Sequence, residues 1–174
     1  QPPRDPKAVA YTRVRYATFA LGECLSLGFM AAMNRGDRPV RLREWAARRT
    51  KRSYVRDALF TDSVLALYSA ATLPLAFVSG HLVEHAFGLS RQSARSWAAD
   101  AAKGTALSLL LAGPSTAGLY AIIRRSPRRW WLWGAGASAG LSALLTHLAP
   151  ILIDPLFFQF RPLADEGLRR RLED

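Results

Sequence analysis

Residues 63–83 read S-V-L-A-L-Y-S-A-A-T-L-P-L-A-F-V-S-G-H-L-V, without a single Lys, Arg, Asp or Glu. A helix needs about 20 apolar residues to cross the hydrocarbon of a bilayer. Residues 104–123 and 130–153 are equally free of charge, and residues 16–34 are interrupted only by Glu23. The chain has 174 residues, 50% of them hydrophobic, with 24 Lys and Arg against 13 Asp and Glu. Its mean hydropathy lies near zero, but that value averages apolar runs with very basic connectors. The expected fold is therefore all-α, a polytopic transmembrane helical bundle. It has at least four membrane helices, over about 16–34, 62–83, 104–123 and 130–153, plus a short surface helix.

The segment before the first run is polar and basic. Pro2, Pro3 and Pro6 keep its start extended, and from about Lys7 it can be helical, with Tyr11 and Tyr16 at headgroup level. Inside the first run, Glu23 is costly in hydrocarbon. It must face the bundle or a wet cavity, or be protonated; a structural hydrogen bond to a neighbouring helix is the plain expectation. Cys24, the lone cysteine, cannot form a disulfide within the chain and reads as a small buried hydrophobe. Residues 34–57 carry nine Lys and Arg against three acids. In R-L-R-E-W-A-A-R-R, Leu42, Trp45 and Ala46 fall at helical spacing on one side, which suits a short helix on an anionic membrane surface. Nucleic acid, the rival partner for so many arginines, would want interleaved aromatics or a folded reader module. The lipid bilayer is the expected partner and nucleic acid is not.

The run 63–83 contains Pro74 and passes into H-L-V-E-H. His81, Glu84 and His85 match the order H-x-x-E-H of inverted zincins. Helical spacing places the two histidines on one face with the glutamate beside them, so these three are the candidate metal ligands. No third ligand follows at a familiar spacing, and interfacial residues at the end of a span are the competing reading. Residues 87–104 follow as F-G-L-S-R-Q-S-A-R-S-W-A-A-D-A-A-K-G, where Gly88 marks a turn and Ser90 is the expected helix cap. Ala94, Trp97, Ala98 and Ala101 then make an amphipathic stripe that feeds straight into the third span. Gly113-Pro114 predicts a kink. The fourth span opens with Trp130, Trp131 and Trp133 as an interfacial anchor, and its glycines permit close helix approach. His147 near its far end is a core or interfacial residue. Beyond it, A-P-I-L-I-D-P-L-F-F-Q-F-R-P-L, residues 149–163, holds three prolines that forbid one continuous helix, and three phenylalanines too apolar for an ordinary loop. No spacing fits a nucleophile triad, a phosphate-cradling loop or a carboxylate pair, so no catalytic or cofactor-binding residue is assigned in this chain.

Two of these segments together resemble the membrane-spanning N-terminal region of the CAAX prenyl protease family, integral-membrane zinc metallopeptidases with an H-E-x-x-H helix. The likeness is carried first by Gly88, Leu89, Ser90, Gln92, Trp97, Asp100, Lys103 and Gly104. It is carried second by Pro150, Ile153, Pro155, Leu156, Phe157, Phe160, Pro162 and Leu163, with Phe158 where the family usually has Asn. The resemblance implies that residues 1–174 are the membrane-spanning N-terminal domain of a metallopeptidase, with residues 154–174 starting a link to a catalytic domain. It also implies an earlier span ahead of Gln1, and H-E-x-x-H with a downstream glutamate beyond Asp174. Zinc would belong to that catalytic domain and none to this chain, which would be inactive alone.

The expected function is thus the membrane portion of a zinc-dependent CAAX-type endopeptidase. It would wall the chamber that admits a peptide or protein substrate and form the docking surface for the catalytic domain. The alternative is a non-enzymatic integral-membrane scaffold or assembly subunit. A transporter, more distant, would need Glu23 and Asp62 to line a path, and no broken-helix repeat supports one. The expected location is a multi-pass position in a bacterial plasma membrane. Lys and Arg divide 13 to 11 between the two faces; by family likeness the tail faces the cytoplasm.

Overall fold

The first helix begins where its sequence permits. Pro6 occupies the first helical position, where a missing N–H costs nothing, and the Asp5 carboxylate accepts from the Lys7 N–H at 2.9 Å. A computed structural model of the chain describes residues 5–153 and Pro155. Among them every regular element is helical: α1 (Pro6–Asn34), α2 (Arg38–Arg49), α3 (Ser53–Phe77), α4 (Val83–Ala86), α5 (Ala94–Arg125) and α6 (Trp130–Leu148). A π turn, Val78–Leu82, joins α3 to α4 without a break, and a second, Ala149–Ile153, extends α6.

Three helical runs are long and apolar enough to cross a membrane: Pro6–Asn34, Ser53–Ala86 and Ala94–Arg125. Each overshoots its charge-free stretch, because the flanking polar residues keep the helical backbone as it leaves the hydrocarbon. The fourth expected span lies on α6, a 19-residue helix without a charged side chain. The chain divides into two compact units, Gln1–Arg125 and Ser126–Asp174, and the second is represented here by α6 and its π turn.

Within the first unit the side-chain distribution is that of a bilayer protein. Among the described residues the only buried apolar side chains are Ala46, Val83 and Ala117. Large apolar groups point outward, with Tyr16 71% and Leu110 69% exposed. In water so much exposed apolar surface would drive association; in lipid it is the solvated face. Cys24 is exposed as well, not buried as expected. It lies on the outer side of α1, where hydrocarbon does the work of a core.

Antiparallel packing of α3 on α5 is the main contact of the unit. The Arg124 guanidinium meets the Asp57 carboxylate at 2.6 Å near one end, and the Tyr54 hydroxyl donates to the Pro114 carbonyl at 3.0 Å. Next to Pro114, the Asp62 carboxylate lies directly over Gly113. α5 is helical on both sides of the Gly113-Pro114 pair, with Pro114 inside it. α1 joins α3 through a 2.8 Å hydrogen bond between the Ser26 and Tyr68 hydroxyls and an edge-on contact of Phe29 with Tyr68.

α2 is the short helix expected in the basic connector. Its apolar stripe turns inward: Ala46 is fully buried where α2 packs on α3, and Leu42 and Trp45 are half-buried. The amphipathic stripe of Ala94, Trp97, Ala98 and Ala101 forms the opening turns of α5 and runs straight into the span, as expected. Pro150 does not stop α6 abruptly but is absorbed in the π turn. The rest of the 154–174 link, with Leu156, Phe157, Phe160, Pro162 and Leu163, lies outside the described residues, as do Pro2 and Pro3.

Candidate functional site

One end of the first unit is built by side chains from three helices. α4 ends at Ala86, and the chain reverses through Gly88, whose φ of +73° is the left-handed conformation that glycine adopts freely. The backbone there is fully tied. Gly88 N–H donates to the His85 carbonyl at 3.0 Å, and Leu89 N–H and Ser90 N–H donate to the Glu84 carbonyl at 2.8 and 3.3 Å.

The cap of α5 is Ser93, not the expected Ser90. Its hydroxyl accepts from the Ser96 N–H at 3.2 Å, and its carbonyl accepts from the Trp97 N–H at 2.9 Å. Ser90 instead holds the turn before the helix, accepting from the Gln92 N–H at 3.2 Å. The Gln92 side chain then lies along the first turns of α5 and donates to Asp100 at 2.7 Å. The other Asp100 oxygen meets the Lys103 ammonium at 3.2 Å. Gly88, Ser90, Gln92, Asp100 and Lys103 therefore serve one structural end: they fasten the loop to the helix that follows. Leu89 enters this arrangement through its backbone and is 61% exposed. Gly104 has no neighbour within contact of the place its Cβ would occupy.

Trp97 links the loop to α3. Its ring meets Phe77 edge-on at 5.1 Å. A Cβ on Gly80 would lie 3.2 Å from the indole nitrogen, so the glycine makes room for the ring. His81, on the π turn, is 8% exposed, stacks on Phe77 at 5.0 Å and lies 4.3 Å from the ring of His85. His85 Nδ1 faces the His81 carbonyl at 3.0 Å, so that nitrogen carries the proton. His81 Nδ1 is buried without a partner.

Glu84 does not join the histidines. It accepts from the Tyr11 hydroxyl of α1 at 2.8 Å, and Arg15 lies 3.8 Å away; Phe87 packs edge-on against the same tyrosine at 5.2 Å. A catalytic zinc takes three protein ligands. Here two histidines stand together, the carboxylate is held by α1, and no group of three His, Cys, Asp or Glu among the described residues could hold a metal ion. The residues of this corner do not fit a zinc site.

Two acids within the spans complete the inventory. Glu23 is exposed on the edge of a groove of about 250 Å³ between α1 and α3, lined also by Ser26, Tyr68 and Thr72. No hydrogen bond of the kind expected from a neighbouring helix reaches its carboxylate among the described residues. Asp62 keeps one carboxylate oxygen buried and unpartnered against α5. Sequence reasoning missed its fit to Gly113; the signal was a glycine beside a proline in a span, which was read only as a kink.

Residues 6–159 match the family described as the CAAX prenyl protease N-terminal region, five membrane helices. The chain is similar to an uncharacterized metalloprotease, YhfN, of Bacillus subtilis, at 23% identity over 95% of this chain and 38% of the relative. A CAAX prenyl protease 1 homolog of Arabidopsis thaliana is 29% identical over 66% of this chain and 27% of its own length. CAAX prenyl protease 1 of Saccharomyces cerevisiae is 25% identical over 66% and 25% respectively. The chain thus covers between a quarter and two fifths of these relatives. With the family match spanning most of the chain, and with long apolar helices and a built loop where the family likeness falls, the chain belongs to the CAAX prenyl protease family, as its N-terminal membrane domain.

Proposed function

We propose that this domain forms the membrane part of a zinc-dependent endopeptidase of CAAX type, walling the chamber that admits a peptide or protein substrate and offering the surface on which the catalytic domain docks. The observation that carries the reading is the family match over residues 6–159. The hydrogen-bonded loop at residues 87–93, fastened to the first turns of α5, supports it, since a surface that positions a second domain must hold its own shape. Zinc supplies a Lewis acid and an activated water when bound. In this proposal it is held outside these residues, and no step of hydrolysis is assigned to the chain. Its own contribution is positional: α1, α3 and α5 exclude lipid from one side of the path, and the tied loop fixes where α5 enters the membrane. A bacterial plasma membrane is the proposed location, supported by the relative from Bacillus subtilis, which matches almost the whole chain where the plant and yeast proteins match two thirds.

The test is hydrolysis of a prenylated CAAX peptide by the full gene product reconstituted in lipid, with and without a zinc chelator. Cleavage that stops with chelator and returns with zinc is the expected result. A folded full-length protein that leaves the peptide intact, or cleaves it in excess chelator, removes the proposal and leaves a membrane scaffold.

A further inference from the structure

α2 carries more positive charge than the protein neutralises. The three described ion pairs are Arg15–Glu84, Lys103–Asp100 and Arg124–Asp57, and none includes an α2 arginine. The helix cannot roll to hide these groups, because Ala46 is fully buried where it packs on α3. At 100° per residue, Arg38, Arg41, Trp45, Arg48 and Arg49 fall along one edge, spaced i, i+3, i+7, i+10 and i+11. These four arginines are exposed, as is Arg43, the fifth of α2, which lies on another side of the helix. Trp45, half-buried, sits in the middle of the row, with the Arg49 guanidinium 5.3 Å from its ring centre. Arg38 also donates to the Ala32 carbonyl at 2.7 Å, capping α1 and tying the row to the end of that helix. Glu44 borders the row beside Arg41 and Arg48 and forms no described ion pair with either.

The place of the row is as informative as its charge. α2 begins four residues after α1 ends and ends four residues before α3 begins. Both neighbours are long and apolar enough to cross a membrane. A 12-residue helix strung between them is confined to the boundary of hydrocarbon and water. At that depth the abundant anions are lipid phosphates. Guanidinium groups bind phosphate through paired N–H donors, and tryptophan prefers the headgroup layer.

We propose that the arginine edge of α2 is a binding site for the headgroup phosphates of anionic phospholipids. The apolar stripe of α2 is spent on α3, so this helix does not insert into the membrane as a free amphipathic helix does. It presents a fixed row of phosphate ligands, and the lipid comes to it.

The experiment places the full chain in nanodiscs of equal parts phosphatidylglycerol and phosphatidylcholine and counts the lipids retained on gentle release by native mass spectrometry. Wild type is expected to retain phosphatidylglycerol preferentially. Arg41→Gln with Arg48→Gln should reduce that preference by about tenfold or more, at roughly fivefold per charge. Arg91→Gln with Arg95→Gln removes equal charge from the opposite end of the unit and should leave the preference intact. Far-ultraviolet dichroism confirms that each variant is folded, and the single change Arg41→Gln serves if the pair is not. Equal loss in both pairs of variants would reduce the site to general surface charge and overturn the proposal. So would an unchanged preference in the α2 variant, displacement of the retained phosphatidylglycerol by added inorganic phosphate, or α2-dependent capture of a short nucleic-acid duplex in place of lipid.

Discussion

Gly113→Ala should destabilise the domain, and the cause can be isolated. A methyl group at Gly113 would occupy the space of the Asp62 carboxylate, meeting both oxygens and the carbon between them. Gly113 is buried in the main helix–helix contact of the unit, so the Asp62 side chain must turn aside within that contact to make room. Overpacking of a close-packed site costs about 1–3 kcal/mol. Alanine recovers up to about 1 kcal/mol of helix propensity, which leaves a net loss of roughly 1–2 kcal/mol. For a domain of this size that is a fall of about 2–8 °C in Tm. Asp62→Ala removes the obstacle and also removes a buried oxygen that has no partner, so alone it should be near neutral. In the double variant the alanine at 113 then fits, and the coupling between the two changes should reach about 1–2 kcal/mol. The assay is thermal unfolding of four proteins in one detergent, followed by tryptophan fluorescence. Additive effects, or a Gly113→Ala protein as stable as wild type, would show that the carboxylate does not lie over Gly113.

The chain should remain monodisperse only in detergent or lipid, given its outward apolar groups; a sharp, monomeric elution without amphiphile would contradict the membrane assignment. Zinc should not bind stoichiometrically to this chain, because Glu84 is held by Tyr11 and Arg15; calorimetric binding abolished by His85→Ala would revive the metal reading. Gly88→Ala should cost about 1–2 kcal/mol through its positive φ, read as a lower unfolding midpoint, and an unchanged midpoint would mean that the loop adopts another turn. If Phe157 docks a catalytic domain, Phe157→Ala should be nearly silent in this chain but cost on the order of 3–5 kcal/mol in the full-length protein; a large effect in both would place the ring within the helix bundle instead.

The membrane fold was legible because its cause is local and additive. A run of about 20 residues without charge partitions into hydrocarbon whatever its neighbours do, so residues 63–83 and 104–123 announced their helices before any contact was known. The family was legible for a similar reason, since residues 87–104 keep their types in fixed order along the chain. What those residues touch was not. Glu84 sits beside His85 in the sequence, yet its hydrogen bond goes to Tyr11, 73 residues away, because the α1 start lies against the end of α4. Ser90 and Ser93 are equal caps by residue type, and the loop geometry set by Gly88 gave the helix to Ser93. Asp62 and Gly113 are ordinary in their own segments and acquire meaning only where two antiparallel helices bring them face to face. Composition by itself determined which segments enter the bilayer. Only the tertiary structure decided the partners of the polar groups, because in hydrocarbon a buried polar side chain must find its partner on whichever helix crosses beside it.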